Sequence, residues 1–163
     1  MLPRAEGRVE QLAAADKITA LIELISAGNQ SLRILSDELE PEIFDDEALV
    51  KAISALARRH RDSRIKILLK STRLVVKRRH RLVALQKRMP TLIQIRRLTH
   101  LPESHIENYV VVDETGIFFD PRDDDKVCFS NVDDRPFAHH LLLRFEELWQ
   151  VSSADPELRS LPL

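Results

Sequence analysis

At 163 residues, with 44% apolar and 31% charged residues, the chain has the length and composition of one globular domain with tails, which excludes a largely disordered polypeptide. No apolar run approaches the roughly 18–20 residues that span a bilayer, and Met1–Glu6 lacks the basic-then-apolar layout of a secretory signal, so the cytoplasm is the expected location, without a membrane. The net charge of −1 conceals a segregation: residues 51–100 hold 16 of the 25 Lys and Arg and one acid, Asp62, whereas residues 101–163 hold 14 acids against five bases.

From Arg8 to Ala27, Val9, Leu12, Ile18, Leu21, Ile22 and Ile25 recur with helical spacing before Gly28-Asn29 stops the helix. Ser31–Ser36 alternates as a short strand, and the acid-rich stretch from Asp37 to Glu47 reads as a loop. A second helix, capped by Asp45 or Asp46, buries Leu49, Ala52, Ile53 and Leu56 and ends near His60. Arg64–Lys70 is the apolar run of an inner strand, and its place after strand and helix predicts a parallel pair with Ser31–Ser36. From Thr72 to Met89 the spacing of Val75, Leu82, Leu85 and Met89 predicts one helix, closed by Pro90. Leu92–Arg96 is the next strand, Tyr109–Asp113 and Gly116–Asp120 form a β-hairpin, and Lys126–Ser130 adds a further strand. Asp133 or Asp134 then caps a helix that carries Pro136 in its first turn and buries Phe137, Leu141, Phe145 and Leu148. Residues from about Ser152 carry no periodicity and read as a mobile or draped tail.

This order predicts an α/β fold, a mixed sheet with flanking helices, divided into an N-terminal helix (1–28), an α/β domain (29–152) and a C-terminal tail (153–163). The segment His105-Ile-Glu-Asn-Tyr-Val-Val-Val-Asp113-Glu-Thr-Gly-Ile-Phe-Phe and the ending Phe145-Glu-Glu-Leu-Trp149 give the chain, over residues 20–152, a resemblance to one half of the phospholipase D superfamily. With Arg78-Arg-His-Arg-Leu82 they are similar, more narrowly, to the PLD-like domain found behind bacterial GNAT-type acetyltransferases. The resemblance implies a homodimer, since active relatives bring two halves together, and an acetyltransferase on another polypeptide as a partner.

Active members carry His-x-Lys-x4-Asp, in which histidine attacks phosphorus and lysine neutralises the phosphate oxygens. Counted from His105, Glu107 stands at the lysine position and Val112 at the aspartate; aligned on Asp113, Ile106 stands at the histidine and Asn108 at the lysine. The motif is degenerate in both registers, which leaves His105 and Asp113 as weak catalytic candidates. Ser130-Asn131 only partly matches the Gly-Ser-x-Asn that follows the motif.

Other chemistry has thinner support. His139-His140 diverge by about 100° on a helix, Asp123–Asp125 lacks the periodicity of a calcium loop, and His60, His80 and His100 read as surface histidines among arginines. No metal and no cofactor is expected. Cys128, the single cysteine, reads as a packed thiol. Arg73, Lys77 and Arg81, spaced i, i+4 and i+8, form a cationic stripe that Arg78, Arg79 and Arg88 widen. The stripe can take phosphates, a polyanion or a nucleic acid, or it can be a solvated face paired with the acidic loop. Three functions follow: a non-catalytic binding or assembly module, a nucleic-acid or phosphate binder acting through helix 73–88, and a residual phosphodiesterase using His105 with Arg96 or Arg97 in place of the missing lysine.

Overall fold

The computed structural model describes residues 13–100, 106–123 and 125–159. The expected start of the first helix at Arg8, and His105, lie outside them. Helix α1 (Ala14–Ser26) buries Ala20, Leu21, Leu24 and Ile25 on one face. It stops where Gly28 passes so close to Val112 that any side chain there would collide with its Cγ1. Strand β1 (Ser31–Ser36), the short helix α2 (Pro41–Phe44), helix α3 (Glu47–Arg59) and strand β2 (Arg64–Leu69) follow, with β1 and β2 parallel in the register Leu32↔Ile65 and Ile34↔Ile67. The Asp46 carboxylate starts α3 by accepting the Leu49 N–H at 3.0 Å.

Between β2 and strand β3 (Ile93–Leu98) the sequence predicts one helix, and the structure has two: α4 (Arg73–Lys77) and α5 (Arg81–Arg88). The reason is His80, which is 1% exposed and not a surface histidine. Its Nδ1 accepts the Leu82 N–H at 3.1 Å, capping α5. Its Nε2–H reaches the Leu39 carbonyl at 3.1 Å. Capping and burying that ring requires extended backbone at Arg78 and His80, and the helix breaks there.

Strands β4 (Asn108–Val112) and β5 (Gly116–Asp120) form the expected hairpin, β4 antiparallel to β1. Strand β6 (Phe129–Asn131), helix α6 (Arg135–Gln150), strand β7 (Ser152–Ser153) and helix α7 (Pro156–Arg159) complete the order. The sheet runs β6-β5-β4-β1-β2-β3-β7. Alternation along the strands divides the core in two. Leu32, Ile34, Ile65, Ile67 and Ile93 meet α1, α3 and α5, while Leu35, Leu68, Leu98, Tyr109 and Val111 meet Leu141, Phe145 and Trp149 of α6. Strands covered on both faces are apolar on both, which is why β2 reads as a mostly apolar run. The segment after α6 is held to the domain: β7 pairs with β3, Leu158 is buried, and Asp155 accepts the Thr72 hydroxyl at 2.5 Å.

Candidate functional site

At the carboxyl ends of β1 and β2, where β4 enters the sheet, six ionisable side chains converge. Lys70, just past β2, directs Nζ at three acceptors: Asp37 Oδ1 at 2.7 Å, the Ile106 carbonyl at 2.5 Å and Asn108 Oδ1 at 3.0 Å. Three donors and three acceptors leave its ammonium fully used. Asp37 also faces Arg122 Nε at 3.3 Å, and Asp120 takes Lys17 Nζ at 3.2 Å. Burial pushes the Asp37 carboxyl up, but Lys70 and Arg122 outweigh it and hold the group below its ordinary range. Glu40, half-buried near Asp37 and Asp120, is raised above its usual value, chiefly by burial, with those two carboxylates adding to it against the opposing pull of Arg122. Lys17, Lys70 and Arg122 thus face Asp37, Glu40 and Asp120, three charges of each sign.

The motif positions are placed as follows. Asn108, at the lysine position of one register, is buried and bonded to Lys70, so an ammonium from another strand stands beside the place of the missing one. Glu107, at the lysine position of the other register, turns away to Arg144 of α6 at 3.4 Å. Asp113 lies at the opposite end of β4. Its φ is 54°, and its carboxylate accepts the backbone N–H groups of Asn29, Gln30 and Ser31 at 2.9, 2.9 and 3.0 Å. The geometry gives that carboxylate a clamping position between the hairpin turn and the start of β1. Ser130 is buried in β6 opposite Phe118, and Asn131 Oδ1 accepts the Asp133 N–H. Arg96 lies over the Trp149 ring, 4.5 Å from its centroid, and Arg97 is exposed next to β7. Burial pushes the Cys128 thiol up to about 12, which keeps it protonated.

The basic residues divide into three groups. Arg81 is engaged: its backbone N–H donates to Asp45 Oδ1 at 2.8 Å and its guanidinium to the Asp45 carbonyl at 2.6 Å. Arg88 lies elsewhere on α5, in a shallow groove with Lys51 and Arg58. Arg73, Lys77, Arg78 and Arg79 are exposed, and among the described residues none has a carboxylate within 4 Å. Arg78, Arg79 and Lys87 rim a groove of about 620 Å³ floored by Val75, Val83 and Ala84 and closed by α7. The helix break turns the expected stripe into a basic rim in which Arg78 and Arg79 stand at the groove and Arg73 and Lys77 continue along α4 outside it.

Sequence reasoning missed the roles of Lys70 and His80. Lys70 had a signal, a lone charge ending an apolar strand at the carboxyl edge of a parallel sheet, where ligands of such folds gather. His80 had none, because its carbonyl partner, Leu39, lies on a distant loop.

Among curated proteins, none matches the chain. The solved structures that share the fold include the following two. One is TrmBL2, described as an archaeal chromatin protein with a novel mode of DNA binding, at a TM-score of 0.60 and 15% identity, covering 87% of this chain and 51% of that one. The present chain spans about half its length. The other is NucT from Helicobacter pylori, at a TM-score of 0.59 and 13% identity, covering 87% and 92%. At such identities the likeness shows the fold alone, a mixed seven-stranded sheet flanked by helices that is consistent with a phospholipase-D-like half. Residues 13–161 match the model of the domain of unknown function DUF7931, and the chain belongs to that family.

Proposed function

We propose that the chain is a non-catalytic binding module of PLD-like fold that holds a polyanion, nucleic acid in the first instance, on the basic rim formed by Arg73, Lys77, Arg78 and Arg79. The observation that carries this reading is that these four cations are exposed and form no ion pair among the described residues, Arg78 and Arg79 at a groove that Glu157 also lines, whereas Arg81, next along the basic stripe, is paired. Cations without a carboxylate partner can neutralise nucleic-acid phosphates and so release the counterions condensed on them, and that gain needs no catalytic motif. The description of TrmBL2 as a chromatin protein that binds DNA supports the reading at the level of fold. At the carboxyl edge, the mutual pairing of Lys70, Asp37, Arg122 and Asp120 favours a structural over a hydrolytic role.

Fluorescence anisotropy of labelled mixed-sequence DNA and RNA, titrated at low and moderate salt, tests it. Reversing Arg73, Lys77, Arg78 and Arg79 to Glu should abolish binding at low salt, and single reversals should flatten the log–log salt slope by about 0.9 for each phosphate no longer neutralised. Unchanged affinity in the fourfold variant overturns the rim as the binding surface. Turnover of a generic phosphodiester that disappears in His105→Ala would overturn the non-catalytic part.

A second reading, assembly as a homodimer beside the hairpin, is favoured by the half-buried cluster of Phe119, Phe129 and Phe137, whose rings lie 5.1–6.0 Å apart at that edge of the sheet. Light scattering at high micromolar concentration decides it: a monodisperse monomer ends the reading.

A further inference from the structure

The face of the sheet that carries α6 is only partly covered by it. Arg33, Lys66 and Arg96 project from that face, since they alternate with the residues facing α1, α3 and α5. Arg33 and Lys66 are register partners on adjacent strands, which places their Cα atoms about 4.8 Å apart. Lys66 lies 5.2 Å and Arg96 4.5 Å from the centroid of the Trp149 ring, and Arg96 also donates to the Trp149 carbonyl at 3.3 Å. Arg33 is held flat by donating to the carbonyls of Leu32 and Arg64. Among the described residues, the one carboxylate within 4.0 Å of any of these three half-buried cations is that of Glu146 of α6, at 4.0 Å from Lys66 and half exposed. The Lys66 ammonium is held below its ordinary value by burial and by Arg33 and Arg96, so the cluster is under like-charge repulsion that an added anion relieves.

We infer that Lys66 and Arg96, ordered on the Trp149 ring, and Arg33, beside Lys66 on the next strand, form a binding site for a phosphate group, separate from the basic rim of α4 and α5. Trp149 is 4% exposed and already covered by Arg96 and Phe145. Its ring therefore positions the cations and cannot stack a base, so recognition rests on charge and ignores base identity. The guanidinium groups offer paired N–H donors to phosphate oxygens, with Lys66 as a compact charge between them. The phosphate belongs either to a small multivalent phosphate or to a nucleic-acid backbone.

The chain has one tryptophan, so its emission reports on this site. Pyrophosphate titrated at low salt should change Trp149 emission saturably. Lys66→Gln and Arg33→Gln should each weaken the effect by about tenfold, the equivalent of one charge-assisted hydrogen bond. Glu146→Gln, which removes the opposing carboxylate of an exposed residue, should tighten it, an outcome no loss of folding can imitate. An oligodeoxythymidylate arm assigns the source: a response to the oligonucleotide and not to pyrophosphate places the phosphate on a nucleic-acid backbone. No emission change with either probe, or changes that are the same in all three variants, overturns the site. The fourfold rim variant should keep the pyrophosphate signal even where it loses DNA, so failure of the rim and failure of this site are told apart.

Discussion

Two residues hold strained backbone in place, and each makes a prediction. The Asp113 carboxylate serves three N–H groups at once, and removing it leaves those donors to water or to nothing. Asp113→Ala should cost about 2–3 kcal/mol by urea denaturation, since hydrogen bonds to a charged group contribute roughly 1.5–3 kcal/mol and two of the three donors are solvent-accessible. Asp113→Asn should recover part of that. If binding or turnover were lost at unchanged stability, the carboxylate would be chemical instead of structural. Leu39 has φ 56°, a backbone region that disfavours side chains, and is held by Ser36 Oγ on its N–H and by His80 on its carbonyl. His80 is held below the ordinary histidine value by burial first, with Arg78 and Arg81 adding to it against the opposing pull of Asp45. A folded state that keeps histidine neutral gives stability that is full above the unfolded value and is lost as pH falls below it. Unfolding free energy should therefore decline from about pH 7.5 to about pH 5.5, across the ordinary histidine range, and His80→Gln, less stable at the upper end, should show a flatter dependence. Equal slopes would remove His80 from the account.

At the level of elements, α6 anchors the second core. Phe145 and Trp149 are buried and stacked at 5.8 Å, on the Leu141 face that meets Leu35, Leu68 and Tyr109. Phe145→Ala should cost about 3–5 kcal/mol and give a markedly lower Tm or insoluble protein. Trp149→Ala should do the same and also release Arg96 and Lys66. A variant that melts like the parent but loses a ligand would make either ring part of a binding surface. This helix is legible in the sequence because Asp134 and Pro136 mark its start and its apolar stripe has helical period. The parallel strands and the hairpin are legible for the same reason, that local pattern and burial agree. The 72–89 region reads as one helix because Val75, Leu82 and Leu85 fit a continuous stripe, while the break is imposed by His80 bonding to a carbonyl far away in sequence. The candidate sites are less legible still. Arg33, Lys66 and Arg96 come from three strands and acquire a common address only through sheet register.

For the whole molecule, charge segregation along the chain becomes segregation in space, but incompletely. The acidic loop after β1 reaches the basic segment at Asp45, which pairs with Arg81, and its Asp37 is drawn to Lys70 and Arg122. Stability and binding should therefore respond to salt in opposite proportion. The half-buried pairs at the carboxyl edge are screened weakly, so Tm should shift little between about 50 and about 500 mM salt, while nucleic-acid affinity should fall by orders of magnitude. A Tm that collapses in step with affinity would mean that the exposed cations are structural.

The place of β1 has a consequence for biosynthesis. It lies in the middle of the sheet, yet one neighbour, β2, follows it closely in the chain while the other, β4, pairs Leu32 with Val112. At roughly 5–20 residues per second, a ribosome leaves that edge of β1 open for on the order of ten seconds after β1 itself emerges. Leu32, Ile34 and Leu35 are fully buried once β4 docks, so the waiting edge is apolar on both faces and able to template pairing between nascent chains. A chain stopped after residue 100 should aggregate. Supplying residues 106–131 as a separate peptide during its refolding should restore solubility if the open edge of β1 is the cause.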